Sequence, residues 1–565
     1  MSDIFGISVS ALNTAQLGLA TTEHNIANAN TPGYNRQQAI AQARPAQVTG
    51  SGYLGQGADI GNIKRVYDQF LSNQVMQQQG QSAQLNSYYA QISQINNLLA
   101  DPNAGLSPAL QAFFNSVNAL SSSPESMPAR QAMLNSANSL VGRFQSLNQQ
   151  LSDLNTAING QITTSVTTIN SYASQIATLN QNIILAQAAS GGKPPNDLLD
   201  QRDQLVTQLN QEINANVIKQ GDGSYTITVG TGQLLVVGNY AYNLSAIQSK
   251  SDPSKLEVAS GPANNTVALP QGSLTGGNLG GLLAFRSQTL DQTQNMLGLV
   301  AMGLTGTFNQ QHALGQDLNG AMASTTNSFF TDVAPVVNKN LRNVGTATVT
   351  ATVADYSKLT GSDYSLTYSA AGYTLTRLSD NTTLFANQAA LPATPVDGLN
   401  LSAAGAPAAG DSFIIRPTVN GALSMAVAIT DPSKIAAAAP VLANAPANSN
   451  KGTGVISPGS VDATFTAATV TPAVTLTYNS TTNTLSGFPA ALPVTVTSNG
   501  VATVFPVGTP VTYTSGATIS FGGVSFTLTG ILANNYKFTV SPNTKSPTDN
   551  LNSLRLANLQ SKNTL

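Results

Sequence analysis

Cysteine and tryptophan are both absent from the 565 residues. Without a thiol the chain can form no disulfide, no thiolate zinc site and no cysteine nucleophile, so nothing in its fold depends on a redox compartment. Charge is nearly as scarce. Asp, Glu, Lys and Arg make up 8% of the chain, where a soluble globular protein carries roughly 25%. The formal balance is −2, which implies no polyanionic partner and disfavours nucleic acid. No charged residue falls between Asp68 and Asp101, where Gln, Asn and Ser supply solubility. Helix faces that are polar but uncharged can pack on copies of themselves without like-charge repulsion, as the wall of a homopolymer requires. No continuous run approaches the ~18 apolar residues of a membrane span. Met1-Ser-Asp-Ile-Phe also lacks the basic and apolar regions of a cleaved signal. By these rules alone the chain is cytoplasmic.

Catalytic and metal chemistry find little support. The two histidines, His24 and His312, lie far apart in the sequence with no nucleophile or zinc motif beside either. His24 reads as a polar helix position, and His312 as a helix-terminal structural residue. Asp197, Asp200 and Asp203 recur every three residues, so their carboxylates could share a helix face and hold a cation. Arg202 among them favours a salt-bridged face instead. Gly276-Gly277 and Gly280-Gly281 precede a helix without the Lys-Ser/Thr of a phosphate loop, and read as a hinge. The expectation is a protein with no enzymatic activity, no cofactor and no metal.

What is present is helical periodicity. Phe5, Leu12, Leu19 and Ile26 recur every seven residues, with Val9 and Ala15 beside them, which predicts a helix over Ile4–Asn30 with one apolar stripe seeking a partner. Pro32 moves Thr31 out of the α region, and Thr31-Pro32-Gly33-Tyr34 suits a type II turn. The glycine-rich stretch 38–61 reads as an extended connector. Helical pattern resumes from about Ile63 to Leu99, stops at Asp101-Pro102, and returns around Leu110, Phe113, Phe114, Val117 and Leu120. A long strut follows through Leu147, Leu151, Leu154, Ile158, Ile162, Val166, Ile169, Ile176, Leu179 and Ile183.

Gly191-Gly192 breaks that strut, and Asn196 or Asp197 is placed to cap a second helix, making an αα-hairpin. Leu283, Leu290, Leu297 and Leu304 supply a covering helix from about Asn278 to His312, in which Gly298, Gly303 and Gly306 suggest close helix approach. Tyr225–Gly238 reads as a small β appendage. From Gly345 to Val540 short alternating runs predict β-sandwich or barrel units, divided by an Ala/Pro/Asn/Gly-rich linker over Ala436–Gly454. The fold class is therefore α+β and multidomain. Its segments are 1–62 (inner helix and connector), 63–220 (helical rod), 221–335 (β appendage and covering helix), 336–440 and 441–545 (β-rich), and 546–565 (return to the helical part).

The Asn25-Ile-Ala-Asn28 and Thr31-Pro-Gly-Tyr34 pair at the end of an N-terminal helix resembles the signature of bacterial flagellar axial proteins, the rod, hook and hook-associated subunits. Arg36-Gln37 and Gly57–Gln74 (GADIGNIKRVYDQFLSNQ) narrow the resemblance to hook-associated subunits. Asn196–Asp203, Gly221–Gly238, Phe308–His312, Gly315–Leu318, Phe329-Phe330 and Gly410–Pro417 extend it along the chain. The resemblance implies a ring-like homopolymer joining hook to filament, secreted unfolded through the flagellar type III channel and extracellular once assembled. Its partners are then copies of itself, the hook protein, the next hook-associated junction protein, and an export chaperone that engages a C-terminal segment.

It further implies an assembly seam of Phe5, Val9, Leu12, Leu19 and Ile26, and a signature turn of Asn25, Asn28, Thr31, Pro32, Gly33, Tyr34 and Arg36. The rigid strut is Leu147–Ile183, the β units face outward, and nothing binds membrane. Such proteins end in an amphipathic return helix, whereas here Leu551, Leu554, Leu556 and Leu559 only begin one before Leu565; the expectation is a return helix missing from this sequence. A distal-rod or hook subunit, and a surface adhesin acting through the β units, are the alternatives.

Overall fold

A computed structural model of the chain describes residues 4–99, 105–262, 265–323, 328–446, 450–544 and 546–562. Asp101 and Pro102, where the sequence predicts a helix stop, lie outside the described residues. The long helices are α1 (Ile4–Ala27), α2 (Gln69–Leu99), α3 (Leu106–Ser122), α4 (Met127–Ala189), α5 (Asn196–Glu212), α6 (Gly277–Phe285) and α7 (Asp291–His312), with a π-helical turn at Arg286–Leu290 joining the last two. The chain divides into two compact units, Met1–Asn97 with Leu151–Asp291, and Leu98–Gln150 with Gln292–Leu565. Strands throughout pair antiparallel, and the class is α+β.

In the first unit α1 stops at Ala27, three residues short of the expected end, and the backbone then turns through Ala29 N–H to Ile26 O and Thr31 N–H to Asn28 O. The stretch expected as an extended connector is a ribbon of four strands, β1 (Gln37–Ala43), β2 (Gln47–Thr49), β3 (Gly52–Leu54) and β4 (Ala58–Arg65). β1 pairs with β4, and β2 with β3 at the tip. Glycine spacing hid the ladder, because Gly50 and Gly52 form its turn rather than a flexible tether. β4 continues to Arg65, so α2 starts at Gln69 and not at Ile63; Asp68 caps it, accepting from the backbone N–H of Phe70 at 2.9 Å and of Leu71 at 3.2 Å.

The strut spans 63 residues, beginning 20 positions before Leu147, or about 95 Å at 1.5 Å per residue. Residues 151–189 of α4 belong to this first unit. Along them Leu151, Ile158, Ile169, Ile176 and Ile183 are buried, while Leu154 and Leu179 are half-buried. Pro195, not Asn196 or Asp197, holds the cap position of α5, and no side chain caps it. Both polar residues are drawn sideways to other partners. The β appendage is a four-stranded sheet of β5 (Ala215–Lys219), β6 (Tyr225–Val229), β7 (Gln233–Val237) and β8 (Tyr240–Ala241), with a three-stranded sheet formed from residues 244–268. Gly277 is not a hinge: a Cβ there would run into the carbonyl of Glu212, so the glycine lets α6 pack directly on the end of α5.

In the second unit Phe113 of α3 and Phe308 of α7 meet Phe329 and Phe330 in a fully buried aromatic cluster, with ring centroids 4.8 to 6.4 Å apart. Gly298 admits the backbone of Thr418 from a loop, not a neighbouring helix, and Gly306 admits the ring of Tyr356. Strands Val336–Lys339, Ser412–Arg416, Tyr364–Ser369, Gly372–Arg377 and Thr382–Gln388 form one sheet in that order, and Thr348–Val353 pairs with Leu399–Ala404. Leu366, Leu375, Phe413 and Leu401 of these strands share a core with Met302 of α7. Beyond it, two sheets between Val441 and Pro542 bury Leu476, Phe538 and Val540 against Val496, Ile519 and Phe526.

The supposed linker is in part the centre of this unit. Ile435, Ala436, Ala437 and Ala439 are essentially inaccessible to solvent. Their backbone is satisfied on all sides: Arg130 donates to Ile435 O at 2.7 Å, Asn552 to Ala436 O at 2.7 Å, and Asn543 to Ala439 O at 2.8 Å. Composition misled because small residues suit a crowded strap as well as a flexible tether. The Ala436 N–H donates to His312 Nε2 at 3.0 Å, and burial lowers the His312 pKa to about 4, with Asp317 acting weakly against that.

Because the folded pKa lies below the ordinary 6.5, His312 contributes stability that is fully present above pH 6.5 and is lost progressively as pH falls toward 4. Between pH 7 and 4.5 the loss is about 2 to 3 kcal/mol. Denaturant titrations should show this slope in the native chain and a shallower one in His312→Gln, whose side-chain oxygen can keep the bond to Ala436 without titrating.

Candidate assembly site

The signature turn is organised by one side chain. Asn25 Nδ2 donates to Gln37 O at 2.8 Å, while its Oδ1 accepts from Gln37 N–H at 2.8 Å and from the Tyr34 hydroxyl at 2.7 Å. A carboxamide carries both donor and acceptor, so Asn25 pairs with Gln37 as a neighbouring strand would. Asn28 donates back to His24 O at 3.0 Å and accepts from Thr31 Oγ1 at 3.2 Å. Tyr34 N–H closes the turn on Thr31 O at 3.1 Å with Gly33 at φ +80. Gly33 is required twice over, since a Cβ would also come within 2.8 Å of the Gln204 side chain. His24 lies edge-on to Tyr34 at 5.6 Å.

Beneath the turn, the acidic face of α5 clamps the start of the chain. Asp200 accepts from Asn35 N–H at 2.9 Å and Asn35 Nδ2 at 2.8 Å, and Asp197 accepts from Gln37 Nε2 at 2.8 Å. Asn196 reaches Ile63 O on β4 at 2.8 Å. Arg65, also on β4, meets Asp200 at 2.6 Å and Asp203 at 2.9 Å, and its side chain and theirs are 11%, 7% and 13% exposed. Burial by itself would lower the Arg65 pKa, but the bond to Asp200 and the charge of Asp203 hold it above its ordinary value. Asp203 also accepts from the Tyr225 hydroxyl at 2.9 Å. The salt-bridged face is therefore closed by Arg65 and not by Arg202. Arg202 instead points inward, with its guanidinium 3.4 Å from the centre of the Tyr225 ring and a 2.7 Å bond to Gly223 O.

α1 meets the ribbon through small polar side chains. Ser10 and Thr21 are buried, Thr14 and Gly18 half-buried, and Thr14 Oγ1 donates to Ala58 O at 3.2 Å. Spacings of three and four put these on one stripe, where short side chains let strand backbone approach. The large apolar residues lie elsewhere: Phe5 is 79% exposed, Leu12 58%, Leu19 60% and Ile26 72%, with Val9 at 55%. The heptad residues thus fall together on an exposed stripe, and the strut residues on a buried one. Arg36 is exposed on the ribbon. Although no continuous apolar run marks it, α1 is long enough to cross a membrane and has a mean hydropathy of 1.2 over an 18-residue window. Among the described residues no group of His, Asp and Glu is gathered to hold a metal.

Arg65, Asn35, Gln37 and the Ser10–Thr14–Thr21 stripe are absent from the sequence-predicted site. A period of four or three in hydroxyl residues was the available signal for the stripe. Nothing local marked Arg65, because its acids lie 135 and 138 positions away.

A charge-poor chain led by a helix with an exposed apolar stripe has the surface of a subunit of a larger assembly, and it resembles known proteins of that class. Residues 5–35 match the family described as flagella basal body rod protein, and 92–330 the flagellar hook-associated protein FlgK helical domain. Residues 338–417 and 440–542 match the D2-like and D3 domains of flagellar hook-associated protein 1. The chain is 39% identical over 440 residues to flagellar hook-associated protein 1 of Salmonella typhimurium, covering 78% of this chain and 79% of that protein. The Bacillus subtilis protein of that name is 26% identical over 301 residues, covering 51% and 58%. The solved structure of the flagellar hook junction protein FlgK from Burkholderia pseudomallei has a TM-score of 0.79 at 39% identity, covering 86% of this chain and 90% of that one. The chain belongs to the flagellar hook-associated protein 1 family.

Arg65→Ala leaves two nearly buried carboxylates facing each other without a cation and should destabilise the first unit by about 3 kcal/mol. Adding Asp200→Asn and Asp203→Asn should recover part of that loss. Hydrogen exchange of amides 35–65 is the readout, and equal protection in Arg65→Ala and native chains would refute the clamp.

Proposed function

We propose that this chain is a structural subunit of the bacterial flagellum that forms the junction between hook and filament, and that filament growth depends on it. The observation that carries the reading is the apolar stripe Phe5–Val9–Leu12–Leu19–Ile26, which is exposed while the opposite stripe of α1 is used inside the chain. Burying each large side chain contributes roughly 1.5 to 3 kcal/mol, so covering the stripe supplies on the order of 10 kcal/mol toward association. Membership of the hook-associated protein 1 family and the likeness to a hook junction protein support the same reading.

In this reading the segment 1–62 lines the inner tube, 63–335 forms the helical wall, and the β-rich segments 336–440 and 441–545 are sandwich-like and face outward. Residues 546–565 turn back toward the helical part. The chain leaves the cell through the flagellar export channel and contacts copies of itself, the hook protein below and the next hook-associated junction protein above. Its role is structural, not catalytic.

Leu19→Asp places a charge in the middle of the stripe without touching the Ser10–Thr21 face. The expected outcome, by electron microscopy of cells carrying only this variant, is completed hooks without filaments and flagellin shed into the medium. Normal filaments on such cells would contradict the stripe as the assembly seam; absent hooks would move the protein into the rod or hook.

A further inference from the structure

The ribbon tip has no core of its own. All six residues of β2 and β3 are exposed, including Val48 at 69%, Tyr53 at 79% and Leu54 at 41%. Val48 and Tyr53 are cross-strand partners in the ladder. A two-stranded ribbon cannot bury such side chains by itself, yet the tip is held in one shape by Thr49 Oγ1 donating to Gly52 O at 2.7 Å and Gln56 to Gln47 at 2.8 Å.

Elsewhere in the same unit a cleft of about 650 Å³ opens between the signature turn and the α4–α5 hairpin. Its walls include Pro32, Leu179 and Leu205, with Gln175, Gln201 and Gln204 around them. That volume takes a few side chains. Its ionisable lining is His24, Tyr34, Asp197 and Asp200, with no Lys or Arg; Asp200 is engaged by Arg65, and Asp197, which meets His24 at 3.3 Å and Gln37 at 2.8 Å, keeps its side chain 61% exposed.

One pair of opposite charges is available across these two surfaces. Of the ribbon's cations Arg44 stands nearest the tip, whereas Arg36, Lys64 and Arg65 stand at the other end of the β1–β4 ladder. Arg44 sits just below the tip, 42% exposed and 3.8 Å from Asp59. α1 and α2, which also expose apolar stripes, contain no Lys or Arg. Tip and cleft are different surfaces of one chain, so joining them between copies is a head-to-tail contact, which propagates as a ring or helix as a tube wall must.

We propose that the β2–β3 tip of one copy seats in the cleft of an adjacent copy, with Tyr53 and Val48 against Leu179 and Leu205 and Arg44 facing Asp197. The inference rests on the junction reading above. The absence of cysteine makes the test clean. Cells co-expressing full-length chains carrying Tyr53→Cys and Gln201→Cys, one in each, are grown to assemble flagella, which are isolated and mildly oxidised. Disulfide-linked dimers at least tenfold above those from a Tyr53→Cys and Thr156→Cys pair support the contact. Hooks that contain both variants and bear filaments, with no dimer above that control, overturn it and leave the junction reading intact. Absence of the chain from hook tips removes the junction reading and this contact with it. As a second measure, Tyr53→Ser with Val48→Ser, at exposed positions that leave the fold unchanged, should reduce filament-bearing hooks at least fivefold; unchanged filament numbers would contradict the proposal.

Discussion

Two carboxylates on α5, Asp200 and Asp203, sit nearly out of water with Arg65 between them. Taken from solvent, three charges are stable only if each finds hydrogen bonds to replace hydration, and here they do. Asp200 takes the backbone and side chain of Asn35, and Asp203 takes the Tyr225 hydroxyl. Through these few bonds the signature turn, the ribbon and the β appendage are all fastened to one helix face. The apolar stripe of α1 is presented in a fixed direction because Asn25, Tyr34 and Gln37 fix how the helix leaves that clamp.

The scarcity of charge elsewhere gives this arrangement its contrast. α2 has no charged residue in its 31 positions, and α1 faces the ribbon with Ser, Thr and Gly. Such surfaces approach closely and tolerate identical neighbours, while several of the few ions form joints inside the chain. His312 illustrates the same economy in the other unit: a buried ring, held neutral by its surroundings, accepts one backbone N–H from the strap at Ala436.

Much of the helical part was legible in the sequence. Heptad and 3.6-residue spacing gave α1, α3, most of α4 and α5 their positions, and alternating Thr and Val marked strands such as Val474–Asn479 and Val524–Thr529. The errors share a physical cause. Glycine and alanine were read as looseness, whereas at Gly57, at Gly277 and along Ala436–Ala439 small residues permit close packing. The site was half legible: Asn25 to Tyr34 stood out as a motif, but the acids that hold it, and Arg65 that neutralises them, come together only on folding.

The central claim is that one stripe of α1 is buried inside the chain and the other, exposed there, is covered by assembly. Hydroxyl-radical footprinting of the free chain and of the chain in isolated flagella compares the two stripes within one helix. The account predicts that Phe5, Leu12, Leu19 and Ile26 are reactive when free and at least fivefold protected when assembled, with Leu147 and Ile158 of the strut protected in both states. Equal reactivity of the stripe before and after assembly would contradict it.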